Sequence, residues 1–245
     1  MLFATEVGMV RLKVPLLLIW LTISWFAVAA DSWVKKPYQN WSADETRRML
    51  EESPWATTLT LGGIQTSVTS GDVPSNRGYR GEMEDAPTVS YNIQFRSAAP
   101  IRQAQVRSSQ LNSHYDKMSA EQKAAFDTSA GKFLAATFPD RVIVSVTFHT
   151  NVQNYASLLR NYWASQSLAK LSMTVYLNTG SERLSLTDYS FKDDTFQFTF
   201  RRPKVSPDEK ISVEFVHPRI DQVAQQRILQ NFSVKKMLVD GEPTF

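Results

Sequence analysis

The chain contains no cysteine among its 245 residues. Disulfide bonds, thiolate nucleophiles and cysteine-bound zinc are therefore excluded, and so is membrane anchoring through an acylated cysteine. A chain of this length can still bury a core large enough to offset its conformational entropy without cross-links. The lack of cysteine is thus compatible with a stable domain in an exported protein.

A large excess of charge of one sign is also missing. Twenty-seven Lys and Arg residues stand against 24 Asp and Glu residues, which gives a formal net charge of +3. A nucleic-acid-binding protein usually carries a clustered basic face. We therefore expect no nucleic-acid partner.

The sequence has none of the short motifs that bind metals or phosphates or that activate a nucleophile. H-E-x-x-H, G-x-S-x-G, the D-x-D-x-D-G calcium loop and the glycine-rich phosphate loops are all absent. Carboxylates cluster at residues 82–85 and at Asp193-Asp194, in segments where solvated acidic groups are usual. We expect no metal and no cofactor.

A long apolar run occurs at the beginning of the chain. Arg11 and Lys13 precede the apolar residues 14–30, and the Ala-Val-Ala at 27–29 fits the small-x-small rule for signal peptidase. Residues 1–29 are therefore predicted to be a signal peptide, with cleavage after residue 29 or 30. The mature chain would then be periplasmic, part of the cell envelope or secreted, without a stable membrane span.

Two alternatives stay open for this segment. One is an uncleaved anchor, because a run of about 17 apolar residues is just long enough to span a bilayer. The other concerns the start of translation, since Met9 gives a more compact basic region than Met1.

Residues 42–52 carry the signals of a short helix. Ser42 and Glu45 match a capping box, and Ser53-Pro54 ends the helix because proline disfavours helical backbone in the preceding residue. A helix of about three turns does not persist alone in water. It must therefore pack against something else.

Three tryptophans flank this helix within an N-terminal arm, residues 31–61: Trp33, Trp41 and Trp55. We expect them to anchor the arm on its own domain, because tryptophan buries the largest apolar area per ordered residue. The alternative is that they are exposed and bind carbohydrate or lipid.

The rest of the chain divides into a loop and a body. Residues 62–87 contain five of the nine glycines and no sustained periodicity, which predicts a mobile loop. Residues 88–245 are predicted to be an α+β body, and we expect residues 31–245 to pack as one domain.

Apolar periodicity within the body predicts a mixed or antiparallel sheet with three or four helices in the whole domain. The helices are expected at residues 42–52, 98–111, 119–138 and 151–168. The strands are expected at residues 88–96, 142–148, 171–177, 184–186, 196–200, 211–215 and 232–234, with a hairpin turn at 192–194.

His149 and His217 lie at the ends of two predicted strands, where catalytic groups can occur. If they met each other, or a serine and a carboxylate, in one concave site, they would support an envelope hydrolase. Two histidines alone do not make a catalytic triad, so we expect them to be exposed or capping groups.

The N-terminal arm also resembles that of a group of uncharacterised exported bacterial proteins. The matching residues are Trp33-x-Lys35, Pro37-Tyr38-x-x-Trp41-Ser42-x-x-Glu45, Met49-Leu50 and Ser53-Pro54-Trp55-Ala56, with further matches at 97–102 and 232–241. The resemblance implies a single exported domain, and it assigns no catalytic residue. Together with the missing motifs, it favours a non-catalytic protein that binds a protein or another envelope component.

Overall fold

The computed structural model describes residues 36–62 and 86–245. The predicted signal peptide, Trp33 and most of the predicted loop at 62–87 lie outside the described residues. The packing of the Cα trace divides the chain between Asn40 and Trp41. The described part of the first unit contains a 3₁₀ turn, Tyr38–Asn40. All elements named below belong to the second unit, residues 41–245.

The described residues contain five α-helices, one of them a single turn. They are α1 Ala43–Glu51, α2 Ala99–Asn112, α3 Ala120–Leu134, α4 Gln153–Ala164 and α5 Leu168–Leu171. The capping boxes predicted from Ser42 and Ser119 are both confirmed. Pro100 lies in the first turn of α2, where a missing N–H is tolerated, so it does not interrupt the helix.

Nine strands form one sheet and two more form a separate hairpin. The sheet strands are β1 Glu52–Ser53, β2 Ala56–Gly62, β3 Thr88–Phe95, β4 Arg141–Thr150, β5 Tyr176–Asn178, β6 Arg183–Lys192, β7 Thr195–Arg201, β8 Lys210–His217 and β9 Gln226–Ser233. The hairpin strands are β10 Leu238–Val239 and β11 Glu242–Pro243. The sheet order is β1-β2-β3-β4-β7-β6-β5-β8-β9, and every pairing is antiparallel. The predicted α+β class is confirmed.

The sheet is strongly curled. In the sheet order, β4, β7, β6 and β5 lie between β3 and β8. The hydroxyl of Tyr91 on β3 nevertheless lies 2.7 Å from Nδ1 of His217 on β8. Phe95 on β3 packs edge-on against Phe232 on β9, with 4.9 Å between the ring centroids. The inner faces of distant strands therefore meet across the concave side.

Helix α4 occupies this concave side. Trp163 on α4 is fully buried and stacks on Phe196 with 3.9 Å between the ring centroids. The rings of Phe198 and Phe215 lie within 6.5 Å of the same indole. The main core is thus formed by aromatic side chains between α4 and the inner faces of β3, β7 and β8.

Helices α1 and α2 cover the outer face of β3. The carbonyl oxygen of Leu50 in α1 accepts hydrogen bonds from Asn92 and Gln94, both on the outer side of β3. Gln105 of α2 donates to the side chain of Gln94. Strand β3 is therefore covered on both faces.

The N-terminal tryptophans within the described residues are buried. Trp41 is 3% exposed and Trp55 is 0% exposed. Met49 of α1, which lies between them in the sequence, is also buried. The indole N–H of Trp55 donates to the carbonyl oxygen of Thr244 near the end of the chain. Both indoles therefore pack inside the domain, which agrees with intramolecular anchoring and gives no support to ligand binding through these two rings.

The secondary-structure predictions are wrong in two respects. The predicted strand at 171–177 is a strand only at Tyr176–Asn178. Its first residue, Leu171, ends α5, a single turn whose N-terminus is capped by Ser167, and residues 172–174 form a turn. The alternation is misleading there, since Met173 is 71% exposed.

The other error concerns the arm and the helix ends. The arm contains a full strand, β2, which pairs with β3 from Ala56 to Gly62. Gly62 has φ +87, and an added Cβ would lie 2.3 Å from the Pro87 carbonyl oxygen, so glycine is required at this strand end. The helix expected at 151–168 ends at Ala164.

We predict that Trp55→Ala lowers the free energy of unfolding by about 3–5 kcal/mol, because it leaves a large cavity and an unpaired carbonyl group. Urea unfolding followed by circular dichroism measures this change. The matched control is Leu158→Ala, since Leu158 is 40% exposed and should cost less than about 0.5 kcal/mol. Equal losses in the two variants would show that the arm does not depend on this anchor.

Candidate functional site

His149 lies on the outer face of β4. It pairs with Ser90 of β3 across the strands and is exposed, whereas its neighbour Phe148 points into the core. Within the described residues its imidazole makes no hydrogen bond to Ser90 or to a carboxylate. It is an exposed histidine, as expected.

His217 lies on the inner face of β8 and is fully buried. Its Nδ1 atom lies 2.7 Å from the hydroxyl of Tyr91, and its Nε2 atom has no hydrogen-bond partner among the described residues. Burial lowers the pKa of His217 to about 4, and it raises the pKa of the Tyr91 hydroxyl well above its ordinary value. The expectation that His217 is an exposed or capping group is wrong, because the curl of the sheet places this strand end in the core.

The two histidines are therefore not brought together. They lie on opposite faces of the sheet, and the one with a shifted pKa is sealed from solvent. In addition, no group of three or more His, Asp or Glu side chains in residues 36–62 and 86–245 is arranged to hold a metal ion. A proton relay between His149 and His217 has no geometric basis in this part of the chain.

Among the clefts on the surface of the described residues are two of similar size. A groove of about 380 Å³ lies between α2 and α3, with Phe126 and Phe133 in its walls and no histidine or carboxylate in its lining. A second cleft, of about 410 Å³, lies between β1–β2 and the edge strand β9 and is bordered by Glu52, Lys210 and Lys236. Neither of these clefts is lined by a histidine.

The most distinctive polar cluster lies on the outer face of β5, β6, β8 and β9. Its centre is Glu214 on β8, whose side chain is 6% exposed. Oε1 of Glu214 accepts from Arg183 Nη2 at 2.9 Å and from Arg227 Nε at 2.8 Å, and it forms an ion pair with Arg227 Nη2 at 2.8 Å. Oε2 accepts from Asn178 Nδ2 at 2.9 Å. The carboxylate thus accepts hydrogen bonds from donors on β5, β6 and β9.

These contacts fix the protonation state of the carboxyl group. Burial alone would raise the pKa of Glu214, but the hydrogen bonds from Arg227 and Asn178 and the charges of both arginines hold it below its usual value. Glu214 is therefore ionised at neutral pH. Hydrogen bonds to this carboxylate also raise the pKa of Arg227.

The arginines around this carboxylate face solvent. The side chain of Arg183 is 53% exposed and that of Arg227 is 62% exposed. Arg183 lies over the ring of Tyr176 at 3.7 Å, which fixes the plane of its guanidinium group. We call Asn178, Arg183, Glu214 and Arg227, with Tyr176, the arginine face.

Apolar side chains border the arginine face. Leu229 on β9 pairs with Glu214 and is 50% exposed. Met173 is 71% exposed, and its carbonyl oxygen accepts from the hydroxyl of Tyr176. Arg, Tyr and Met side chains are enriched at protein–protein interfaces.

Sequence reasoning missed the arginine face. The strand at 211–215 was predicted correctly, and a glutamate between Val213 and Phe215 is the one available signal, since its side chain must point away from the core. Nothing local reveals that Arg183 and Arg227 converge on it, because that contact depends on the order of the strands.

Comparison of the chain with protein-family models, with curated proteins and with solved structures finds no match.

We predict that His217 makes the protein less stable in mild acid. Between its folded pKa of about 4 and its unfolded value of 6.5, the unfolded chain binds a proton that the folded chain does not. The free energy of unfolding therefore falls as the pH decreases through this window, by at most about 3 kcal/mol. Urea unfolding near neutral pH and at about pH 4.5 measures the loss.

His217→Gln should remove most of this loss, because glutamine can pair with the Tyr91 hydroxyl and does not titrate. His149→Gln is the matched control and should keep the wild-type pH dependence, since His149 is exposed. A His217→Gln protein with the wild-type slope would contradict the assignment.

Proposed function

We propose that the chain is an exported, non-catalytic protein that binds another protein through its arginine face. The observation that carries this proposal is the exposure of Arg227 and Leu229 on the outer face of β9, where both side chains are at least half exposed. The outer face of β3, in contrast, is covered by α1 and α2. A face that combines fixed charges with exposed apolar groups marks a surface available to a partner.

The histidines support the non-catalytic part of the proposal. A hydrolase would need His149 or His217 to act on a nucleophile in an accessible site. His217 is buried against Tyr91 and His149 has no hydrogen-bonding partner among the described residues. The function is therefore proposed as recognition.

Export is supported by the sequence pattern of residues 1–30 alone. Within residues 36–62 and 86–245, none of the helices has the length and hydrophobicity needed to span a bilayer.

We predict that the protein isolated from its own cells begins at Ala30 or Asp31. N-terminal sequencing together with the intact mass tests this, and a mass that includes residues 1–29 would favour the uncleaved anchor.

Binding through the arginine face is tested by photo-crosslinking. A photoreactive amino acid at Leu229 of the full chain, expressed in its own cells, should give a discrete adduct with a second protein, because this side chain lies beside Arg227 and Glu214. The adduct is measured by immunoblotting and identified by mass spectrometry.

The matched control carries the same photoreactive group at Leu158, which is 40% exposed on α4. This variant should not give the same adduct, because Leu158 lies on a helix outside the arginine face. Identical adducts at both positions, or none at Leu229, would overturn the proposal.

A further inference from the structure

We propose that Arg183 and Arg227, positioned by Glu214, bind the carboxylate groups of an acidic segment in the partner protein. This inference rests on the proposed function and names the chemistry that the partner must present. Arg183 and Arg227 would contact the partner directly, and Glu214 would act as a positioning residue beneath them.

The charge balance of the arginine face gives the first argument. One arginine is enough to neutralise the buried carboxylate of Glu214, yet two arginines converge on it within 2.9 Å. By comparison, Arg201 pairs one to one with Glu182 at 3.0 Å. One positive charge is thus left on the face without a partner in the described residues.

The unused donors give the second argument. A guanidinium group has five N–H donors in a planar fork that matches a carboxylate. Arg183 donates one N–H of Nη2 to Glu214 and Arg227 donates its Nε–H, while Nη2 of Arg227 forms an ion pair with the same oxygen. The remaining N–H groups make no hydrogen bond within the described residues, and both side chains are more than half exposed. They can therefore donate to an incoming anion.

Preorganisation gives the third argument. Holding a long side chain in one conformation on binding costs about 0.5–1.5 kcal/mol. Glu214 fixes both arginines before a partner arrives, and the ring of Tyr176 supports Arg183 from one side. The loss of conformational entropy that orders these donors therefore occurs during folding and not on binding.

The small net charge of the arginine face indicates which class of anion it binds. Binding to nucleic acid or to an anionic membrane surface depends on many cations acting together. The arginine face leaves one net positive charge and is flanked by Leu229 and Met173, which are at least half exposed. Carboxylates beside apolar side chains of an acidic polypeptide fit this mixture.

The test uses the full mature chain and a labelled tetraglutamate peptide, with tetraglutamine as the control peptide. Binding is followed by fluorescence anisotropy and by the NMR signals of the arginine Nε–H groups at low ionic strength. We expect tetraglutamate to bind and to shift the signals of Arg183 and Arg227, while tetraglutamine does neither.

Two matched variants separate positioning from simple attraction, since each removes one negative charge from the protein. Glu214→Gln should weaken tetraglutamate binding about tenfold although the protein becomes more positive, because the arginines lose their support. Glu182→Gln should leave the affinity unchanged or increase it. If both variants bound tetraglutamate more tightly by the same factor, the net charge alone would explain binding and the proposal would be overturned.

Arg183→Lys keeps the charge and removes the planar fork, and it does not depend on the folding of the Glu214 variant. It should also weaken binding about tenfold, the loss expected for one charge-assisted hydrogen bond. Binding of inorganic phosphate or of anionic vesicles in place of tetraglutamate would overturn the peptide assignment. An adduct at Leu229 without tetraglutamate binding would end this inference and leave the proposed function standing.

Discussion

The stacking of Trp163 on Phe196 is the contact on which the rest of the fold depends. It places α4 inside the curl of the sheet, so that apolar side chains from β3, β7 and β8 pack on one helix. Burial of large side chains contributes about 1.5–3 kcal/mol each relative to exposure. With no cysteine to cross-link the chain, this aromatic core supplies stabilisation of the kind that disulfides provide in many small domains.

The same arrangement determines which outer surface stays free. Helices α1 and α2 cover β3 and α4 fills the concave side, whereas Arg227 and Leu229 on the outer face of β9 remain at least half exposed. Strand alternation then presents Glu214 and its arginines outward, and Val213 and Phe215 inward. A buried carboxylate on such a face requires donors around it, and the arginine face results from that requirement.

Much of the fold could be predicted from the sequence, because its signals are local. Ser42 with Glu45 marks a helix start, and the alternation at Thr88–Phe95 marks a buried strand. The segment at 171–177 shows the limit, since a capped turn can carry the same alternation as a strand. The burial of His217 and the contact of the two arginines with Glu214 could not be predicted from the sequence. Tyr91 lies 126 residues from His217 and Arg183 lies 31 residues from Glu214, and only the strand order brings them together.

The edge strand β9 bears on the tendency of the protein to aggregate in solution. An edge of eight residues is a template on which a second chain can add a strand, the first step of aggregation. Here Arg227 lies on that strand, and Lys210 and Lys236 border the cleft beside it. Charged side chains, lysine above all, are one of the means by which natural sheets prevent pairing between edges. The basic side chains therefore protect solubility at the place where the sheet would otherwise grow.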